Sequence, residues 1–428
     1  MKLRSPSTRQ QACDGLERSY AYRMSCTRRT FLTAASGLLA GARLAASQAQ
    51  GANDRIRIGV IGTGGRARGL MTLLKKLPGN ELVAVCDVYE PRLLQAAEIA
   101  GPTAVKVADY RKILDDRGID AVLIGTPDHW HKTMTLDAVA AGKDVFVEKP
   151  VSHSIAEGAE MVRAVEASKQ IVQTGTQQRS WDHWVLGKQI VESGRLGQIT
   201  FVQTFWYQHA TAGSFPPVAL EKLDWKRWLG PAPDRAFEPI RFYQWRHFWD
   251  YGGGGITDLM THWIDVVHWY MNVEAPASAA TTGHNHYIKA WDTPDTVNVS
   301  LAYAKDFNAA YLGTYVSRVD DGGLEFRGDR GTLKIDRSRL AFYRDDAAWA
   351  PGTQAPEPEI LVRSSGDGTL THLANWLDCL RSRKAPNANI RVAHQAARAS
   401  HIANASLRSG GPVRWNPATE TIESRERE

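Results

Sequence analysis

The chain has 428 residues, of which 43% are hydrophobic and 23% charged, and its formal net charge is +6. This length exceeds one typical domain and suits two. Eight of the 52 basic residues and two of the 46 acidic residues lie in residues 1–50, so the rest of the chain is formally neutral and gives no indication of a nucleic-acid partner.

The first predicted element is an export signal. Arg28 and Arg29 precede an apolar stretch, residues 31–46, that is rich in Ala and Gly and interrupted by Arg43. A stable membrane span needs about 20 strongly apolar residues, so none is predicted here. The pattern resembles a twin-arginine signal; the alternative is an Arg-rich start without a targeting role.

The resemblance to an export signal defines the expected mature protein. Small residues at 45–49 suit a signal peptidase, and Met1 and Met24 are both candidate starts. We expect residues 1–50 to be removed. The export machinery is then a partner, and the protein is periplasmic or otherwise exported.

From residue 56 onward, short apolar runs alternate strictly with segments of helical periodicity. This alternation predicts an α/β fold with a parallel sheet and helices on both faces, a Rossmann dinucleotide-binding domain over residues 51–175. The predicted strands are 56–62, 81–87, 121–127, 144–150 and 171–179, and the predicted helices are 69–77, 91–100, 109–116, 131–142 and 155–169.

The second part of the chain has closely spaced strands. Short turns between them predict an open, mostly antiparallel mixed sheet in an α+β substrate and oligomerisation domain, residues 176–370. Helical periodicity in the tail predicts C-terminal helices within residues 371–428 that pack back on the body. The predicted strands are 198–208, 297–304, 309–317, 323–328, 332–336 and 340–345.

A glycine-rich loop separates the first strand from the first helix. Gly62 permits the tight turn, Gly64 lets a pyrophosphate approach the backbone, and Ala67 lets the helix pack on the strand. Asp87 ends the next strand and is placed to bind ribose hydroxyls, which favours NAD; Arg92 nearby keeps NADP as an alternative. The other loop residues expected at the cofactor are Thr63, Gly65 and Arg66.

Lys149 stands at the carboxyl end of a predicted parallel strand. Ligands bind beyond the carboxyl ends of such strands. A lysine there can stabilise a developing alkoxide or relay a proton. The alternative is a surface lysine paired with Glu148.

A second group of polar residues follows four glycines, residues 252–255. Asp258, His262 and Asp265 fall on one stripe of a helix, and a carboxylate beside an imidazole suits a general base. His268 lies on another face, so no zinc or other metal site is predicted. The alternative is a purely structural role inside a buried helix.

The chain contains 14 Trp, which either stack on sugar rings or fill the core. Residues 245–249 directly precede the glycines, so Arg246 and Trp249 are the preferred substrate contacts. Cys86 and Cys379 are too few for a disulfide framework and too scattered for a metal site. We expect Cys86 to be buried.

Together these residues resemble the Gfo/Idh/MocA family, named for glucose–fructose oxidoreductase, inositol 2-dehydrogenase and a rhizopine-catabolism protein. The resemblance extends over residues 56–417 and is most specific at residues 126–131, 141–150 and 258–265. It implies that Lys149 contacts nicotinamide and substrate and that Asp258 and His262 are catalytic, with His262 as base. Further expected cofactor residues are Thr126, Pro127, His131, Glu148 and Gln178, and Arg179 and Asp265 are expected at the substrate.

The resemblance also implies a homodimer or homotetramer and oxidation of a sugar, polyol or glycoside. One exported branch of the family cleaves glycosides through a transient NAD-dependent oxidation, but it departs from the Glu-Lys-Pro pattern that residues 148–150 keep. A non-catalytic sugar-binding module is the second alternative. Outside the cytoplasm no free NAD pool exists, so we expect a tightly bound cofactor, regenerated by a second substrate, by re-reduction within one turnover, or by an external acceptor.

Overall fold

The computed structural model describes residues 55–345, except 212 and 214, and residues 357–424. The predicted twin-arginine leader lies outside the described residues. The described chain from residue 55 onward belongs to one compact unit. Within these residues no helix is both long enough and apolar enough to cross a bilayer.

The first sheet is fully parallel, as the alternation of the sequence predicts. Its strand order is β3-β2-β1-β4-β5-β6, and each pair runs parallel. The strands are β1 (Ile56–Ile61), β2 (Asn80–Cys86), β3 (Val105–Val107), β4 (Ala121–Ile124), β5 (Asp144–Val147) and β6 (Val172–Thr174). The intervening helices are α1 (Gly65–Leu74), α2 (Glu90–Ala100), α3 (Arg111–Asp115), α4 (His131–Ala140) and α5 (Ile155–Glu166).

The strands of this sheet are buried on both faces, which explains their continuous apolar sequences. Successive residues of β4 show this clearly, because Val122 and Ile124 belong to one hydrophobic core and Ala121 and Leu123 to the other. Cys86 is buried, as predicted. The carboxyl ends of β1, β4 and β5 therefore meet at one edge, and the loops that follow them carry the predicted site residues.

The described residues after 180 combine helices of 5 to 20 residues with ten strands. The helices are α6 (Asp182–Glu192), α7 (Trp225–Leu229), α8 (Pro239–Tyr243), α9 (Thr261–Met271), α10 (Gly368–Ser382) and α11 (Ile390–Ser409). The strands are β7 (Ile199–Tyr207), β8 (Ser278–His284), β9 (Thr296–Tyr303), β10 (Phe307–Thr314), β11 (Gly322–Gly328), β12 (Gly331–Asp336), β13 (Arg339–Arg344), β14 (Ile360–Arg363), β15 (Val413–Asn416) and β16 (Thr421–Ser424).

These strands form one large mixed sheet. Its order is β14-β13-β12-β11-β7-β10-β9-β8-β15-β16. Strands β7 and β10 pair in parallel, and the other pairs are antiparallel. Side chains along β9 alternate between buried and exposed, the pattern of a sheet that covers a core with one face. The predicted fold class, a Rossmann sheet followed by a mostly antiparallel mixed sheet, is confirmed.

Several elements differ from the sequence-based expectation. Strands β3, β8, β14, β15 and β16 were not predicted, and β6 ends at Thr174, after which Gln177–Ser180 forms a 3₁₀ turn. Residues Ile256–Met260 form a π-helical turn before α9. The widened turn changes the angular spacing on which a regular helical stripe depends.

Helix α11 lies in contact with both halves of the described chain. Its Ile390, Ala393 and Ala397 pack in a core of the parallel sheet. Ala399 and Ile402 pack in the core of the large sheet. The helix thereby fixes the edge of the parallel sheet against the large sheet, and the candidate site lies where these two meet.

Candidate active site

The loop after β1 has the geometry of a phosphate-binding turn. Gly62 has a φ of +76°, and a Cβ there would lie 2.5 Å from Cγ2 of Thr126 and 2.8 Å from its backbone nitrogen. A Cβ added at Gly64 or Gly65 would meet no atom within 4 Å. The loop is therefore closed on the protein side at Gly62 and open on the other side.

Helix α1 begins directly at this open side. Its N-cap is Gly64, no side chain caps it, and its first turn contains no acidic residue. The backbone N–H groups of the first turn are thus free to bind an anion, as helix N-termini do with phosphates. These residues fit the pyrophosphate of a dinucleotide: open glycines, free donors and the positive end of a helix dipole.

Asp87 is held at the end of β2 beside this loop. Its Oδ2 accepts hydrogen bonds from the backbone N and Oγ1 of Thr63, at 2.7 and 2.9 Å. Its Oδ1 accepts from the N–H of Tyr89 at 2.9 Å. The Arg92 guanidinium lies 4.3 Å from the ring centre of Phe242. Thr63 therefore positions Asp87, while Arg92 is stacked on an aromatic side chain.

Two adjacent cavities lie at this edge of the parallel sheet. The first is lined by the glycine loop, Asp87 and Pro127 on one side and by aromatic side chains, including Trp228 and Phe242, on the other. The second is lined by the predicted catalytic residues. The two cavities share Arg66, Gly125, Thr126, Trp245 and Arg246.

Lys149, at the end of β5, projects into the second cavity and contacts Asp258. Its Nζ donates to the backbone oxygen of Asp258 at 2.7 Å and forms an ion pair with the Asp258 carboxylate. Arg246 Nε also donates to Asp258 Oδ1, at 3.1 Å. Burial acts to raise the pKa of Asp258, but Lys149 and Arg246 outweigh it and hold that pKa far below its usual value. Asp258 is therefore an anion that holds the lysine in place.

His262 lines the same cavity as a neutral imidazole. It is only 4% exposed, and its ring centre lies 5.6 Å from that of Trp206. Among the described residues its Nδ1 has no hydrogen-bond partner. Burial, and then the positive charges of Lys149 and Arg337, hold the pKa of His262 well below the usual value of histidine. An unprotonated ring on the cavity wall is able to accept a proton.

Other predicted cofactor residues support this wall. Glu148 is buried and accepts from Arg66 Nε at 2.7 Å. Burial acts to raise the pKa of Glu148, but Arg66 and Lys149 outweigh it and lower that pKa. His131 lies behind the wall, where its ring nitrogens contact the backbone oxygens of Pro150 at 2.7 Å and Thr126 at 3.0 Å. It therefore ties together the loops after β4 and β5.

Two of the predicted substrate residues pair with each other away from the cavities. Arg179 Nε donates to both carboxylate oxygens of Asp265, at 2.9 and 2.8 Å. The two side chains are 8% and 0% exposed. Neither side chain lines either cavity, so their assignment to the substrate stays a prediction.

Trp249 and Gln178 are also displaced from the predicted positions. The Trp249 ring lies beneath the guanidinium of Arg408, 5.3 Å away, and Gln178 is fully buried. Neither lines either cavity. Of the run 245–249, Trp245, Arg246 and His247 line the second cavity, and the Arg246 guanidinium lies 4.3 Å from the Trp245 ring centre.

The predicted stripe of Asp258, His262 and Asp265 does not face the cavity as a whole, because Asp265 does not line it. Asp258 and His262 share a cavity, but the π-helical turn at Ile256–Met260 changes their spacing and Asp265 faces Arg179. In the described chain the Asp258 carboxylate bonds to Lys149 and Arg246, and no hydrogen bond joins it to His262. Asp258 orients the lysine rather than the imidazole.

Several residues of the second cavity were not predicted from the sequence. Asp128 is 3% exposed, and burial raises its pKa well above the usual value although Arg246 opposes this. Asp128 belongs to the motif at 126–131, so its position after a parallel strand was the available signal. Arg337, Tyr315 and Trp291 come from the large sheet and its connections, and no spacing in the sequence connects them to the site.

Comparison with known proteins agrees with this arrangement. Residues 56–176 match a family model described as an oxidoreductase family with an NAD-binding Rossmann fold, and residues 185–334 match the GFO/IDH/MocA C-terminal domain. Inositol 2-dehydrogenase 1 of Saccharopolyspora erythraea is 31% identical over 182 residues, which cover 41% of this chain and 54% of that protein. The match thus spans about half the length of that relative.

A longer match is the inositol 2-dehydrogenase of Rubrobacter xylanophilus, 25% identical over 87% of this chain and 96% of that protein. Levoglucosan dehydrogenase, solved in complex with NADH and levoglucosan, has the same fold, with a TM-score of 0.67 and 18% identity. That superposition covers 84% of this chain and 99% of the other. Two consecutive family models, a shared fold and a fitting dinucleotide loop lead to one conclusion: the chain belongs to the Gfo/Idh/MocA family of oxidoreductases, and NAD is the cofactor of its Rossmann fold.

Proposed function

We propose that this protein oxidises a CH–OH group of a sugar, polyol or inositol and passes the hydride to NAD. One observation carries the proposal. Lys149, Asp258 and His262, from opposite sides of the site, line a cavity that adjoins the dinucleotide loop and shares Arg66 and Thr126 with the cavity there. The relatives named above, dehydrogenases of inositols and of a sugar anhydride, support the same class of substrate.

The bound nicotinamide supplies the hydride acceptor, and the protein handles the proton. His262 is neutral and faces the cavity, so it accepts the proton of the reacting hydroxyl. Lys149 lines the same cavity as His262 and is held there by two contacts with Asp258. Its positive charge stabilises the oxygen as negative charge develops there. Asp258 has a positioning role, because its carboxylate is already bound by Lys149 and Arg246.

Arg246 completes the ion cluster. It lies between the Trp245 ring and the Asp258 carboxylate and lines both cavities. Because its side chain is stacked and ion-paired at once, it fixes the loop before the four glycines against the Lys149 wall. This contact holds the cofactor loop and the substrate wall at a fixed distance and orientation. Hydride transfer between two bound molecules requires such a fixed geometry.

The test is single-turnover absorbance of the nicotinamide after the NAD-loaded protein is mixed with a panel of sugars, inositols and glycosides. Oxidation of one of these compounds produces the reduced cofactor. His262→Ala should lower the rate about 10²–10⁴-fold, whereas His284→Ala, on an exposed strand residue, should not. Full activity of His262→Ala would place the base elsewhere. Decay of the reduced cofactor together with release of an aglycone would indicate redox-neutral glycoside cleavage instead.

We also propose that the protein is exported with its cofactor bound. The paired Arg28 and Arg29 support export, and the open helix end at Gly64 supports a bound dinucleotide. In a compartment without free NAD the cofactor must stay bound and be re-oxidised in place. Mass spectrometry of the natively purified protein tests this, because a tightly bound dinucleotide should co-purify. Protein that is empty would contradict tight binding without contradicting the chemistry.

A further inference from the structure

Arg337 follows strand β12 and projects into the cavity that Lys149 and His262 line. Its guanidinium carbon lies 4.4 Å from the ring centre of Trp206 and 5.8 Å from that of Trp263. Its Nε is buried and has no hydrogen-bond partner among the described residues. Stacking on two indole rings fixes the plane of the guanidinium, so its donors have a defined direction.

No carboxylate of the described chain neutralises Arg337 by direct contact, whereas the other cations of the cavity are paired. Arg66 pairs with Glu148, and Lys149 and Arg246 pair with Asp258. Burial lowers the pKa of Arg337, and Asp321 and Asp367 oppose this without forming an ion pair with it. The adjacent acid, Asp336, faces the turn. Its Oδ1 accepts from the N–H groups of Ser338 at 2.6 Å and Arg339 at 2.9 Å.

The wall of the cavity therefore carries a surplus of positive charge. Its cationic side chains are Arg66, Lys149, Arg246 and Arg337, and its acidic ones are Asp128, Glu148 and Asp258. Burial raises the pKa of Asp128, which increases the surplus. A largely buried guanidinium without a counter-ion is costly unless a ligand supplies one. The charge of the wall thus favours an anionic ligand.

The position of Arg337 also links this charge to the base. Burial is the largest cause that lowers the pKa of His262, and the positive charges of Lys149 and Arg337 lower it further. An anion bound to Arg337 would offset the contribution of Arg337 and make His262 a stronger base. A substrate with an anionic group would therefore be anchored and would also raise the basicity of the group that deprotonates it.

We propose that Arg337 binds a carboxylate of the substrate, which makes acidic sugars such as uronates the preferred substrate class. The proposal rests on the proposed function, since it names the substrate of the same cavity. One surplus guanidinium matches the single charge and planar oxygen pair of a carboxylate, with two parallel hydrogen bonds. A phosphate, with a charge near −2 at neutral pH, would call for a further unpaired cation.

The experiment compares matched substrates on the NAD-loaded protein: glucuronate with glucose, galacturonate with galactose, and glucose 6-phosphate. Cofactor reduction in a single turnover gives the rate, and quenching of tryptophan fluorescence gives the dissociation constant. We expect each uronate to bind at least tenfold more tightly than its neutral partner. In Arg337→Met each uronate should bind no more tightly than its neutral partner. In Arg337→Lys part of the preference for the uronate should remain. Arg339→Met, at an exposed arginine of the same turn, should leave the ratio unchanged.

The outcomes separate this proposal from the function on which it rests. Equal binding of uronates and neutral sugars, or an unchanged ratio in a folded Arg337→Met protein, overturns the role of Arg337 while cofactor reduction still supports the oxidoreductase. Preference for the sugar phosphate overturns the carboxylate. Absence of cofactor reduction with any compound contradicts the proposed function. If Arg337→Met does not fold, two other measurements test the proposal. The uronate preference should be smaller in Arg337→Lys, and the wild-type preference should be lost at high salt, because salt screens the ion pair. A preference that changes in neither case overturns the role of Arg337.

Discussion

The ammonium group of Lys149 is bound twice by one residue, through the backbone oxygen of Asp258 at 2.7 Å and through its carboxylate. Lys149 follows strand β5 of the parallel sheet, while Asp258 belongs to the π-helical turn before α9. The pair therefore joins the cofactor side of the site to the substrate side. A lysine held in this way has little freedom to leave the reacting oxygen.

Lys149→Met should lower the rate of cofactor reduction about 10²–10⁴-fold, because the developing alkoxide loses its positive neighbour. NAD binding should be retained, since the glycine loop and α1 are untouched. Single-turnover absorbance and calorimetric NAD binding measure the two quantities. Lys222→Met is the control, because Lys222 is exposed, pairs with Glu90 and lines neither cavity. Wild-type rates in Lys149→Met would remove the lysine from the chemistry.

Two glycines of the cofactor loop should respond differently to alanine. Gly62→Ala introduces a Cβ 2.8 Å from the Thr126 backbone nitrogen at a φ of +76°, so it should lower both folding stability and NAD affinity. Gly64→Ala meets no protein atom within 4 Å, so it should leave thermal stability unchanged and lower NAD affinity. Thermal unfolding and calorimetric titration test this. Normal NAD affinity in Gly64→Ala would show that the dinucleotide lies elsewhere.

Breaking the Arg179–Asp265 pair should destabilise the fold. Arg179→Met leaves the Asp265 carboxylate buried without a partner, which typically costs about 3–5 kcal/mol. Replacing both residues with Met and Leu should recover most of this loss. Urea unfolding of the single and double variants measures the free energy. A stable single variant with a raised KM would instead return Arg179 to the substrate, as the sequence indicated.

Folding stability should fall as the pH is lowered below the usual pKa of histidine. Burial lowers the pKa values of His129, His247, His268 and His394 to about 3 and that of His372 to about 4. The unfolded chain, with pKa values of about 6.5, then binds more protons than the folded chain. Between pH 6.5 and the folded pKa, each such histidine lowers the free energy of unfolding by about 1.4 kcal/mol per pH unit.

Urea unfolding at pH 7.5 and pH 5.5 measures this loss. His129→Gln should lower the number of protons taken up on unfolding by about one. His284→Asn, at an exposed residue, should leave that number unchanged. Equal stability at the two pH values would mean that these histidines are protonated in the folded protein.

Export should depend on the arginine pair. Replacing Arg28 and Arg29 with Lys should retain the protein in the cytoplasm, because twin-arginine signals require that pair. Fractionation of cells that express the two versions measures the distribution, with Arg43→Lys as the matched control. Unchanged export would indicate another route.

The sequence predicted the local features and missed those that depend on distant contacts. Strict alternation of strand and helix was sufficient for the parallel sheet, and Gly62 to Ala67 for the cofactor loop, because both patterns are contained within about 30 residues. Lys149 was located by its place after a parallel strand. Each of these signals is short-range, so each is readable from one chain.

The positions of Arg337 and of the Arg179–Asp265 pair depend on contacts between distant parts of the chain, which short-range sequence patterns do not predict. Arg337 reaches the site only because β12 lies two strands from β7 in the large sheet, an order the linear sequence does not state. Asp265 has the right helical spacing to His262 within α9, but its carboxylate is bound by the nearby Arg179. Residue types indicated the chemistry, while the pairing of charges required the tertiary structure.

Helix α11 has a consequence for how the protein unfolds. Because it contributes side chains to a core of the parallel sheet and to the core of the large sheet, neither core can open without exposing part of this helix. We therefore expect one cooperative transition instead of two. Free energy gained when NAD binds at the glycine loop would then protect strands of the large sheet that the cofactor never touches, and slower amide hydrogen exchange there would reveal it.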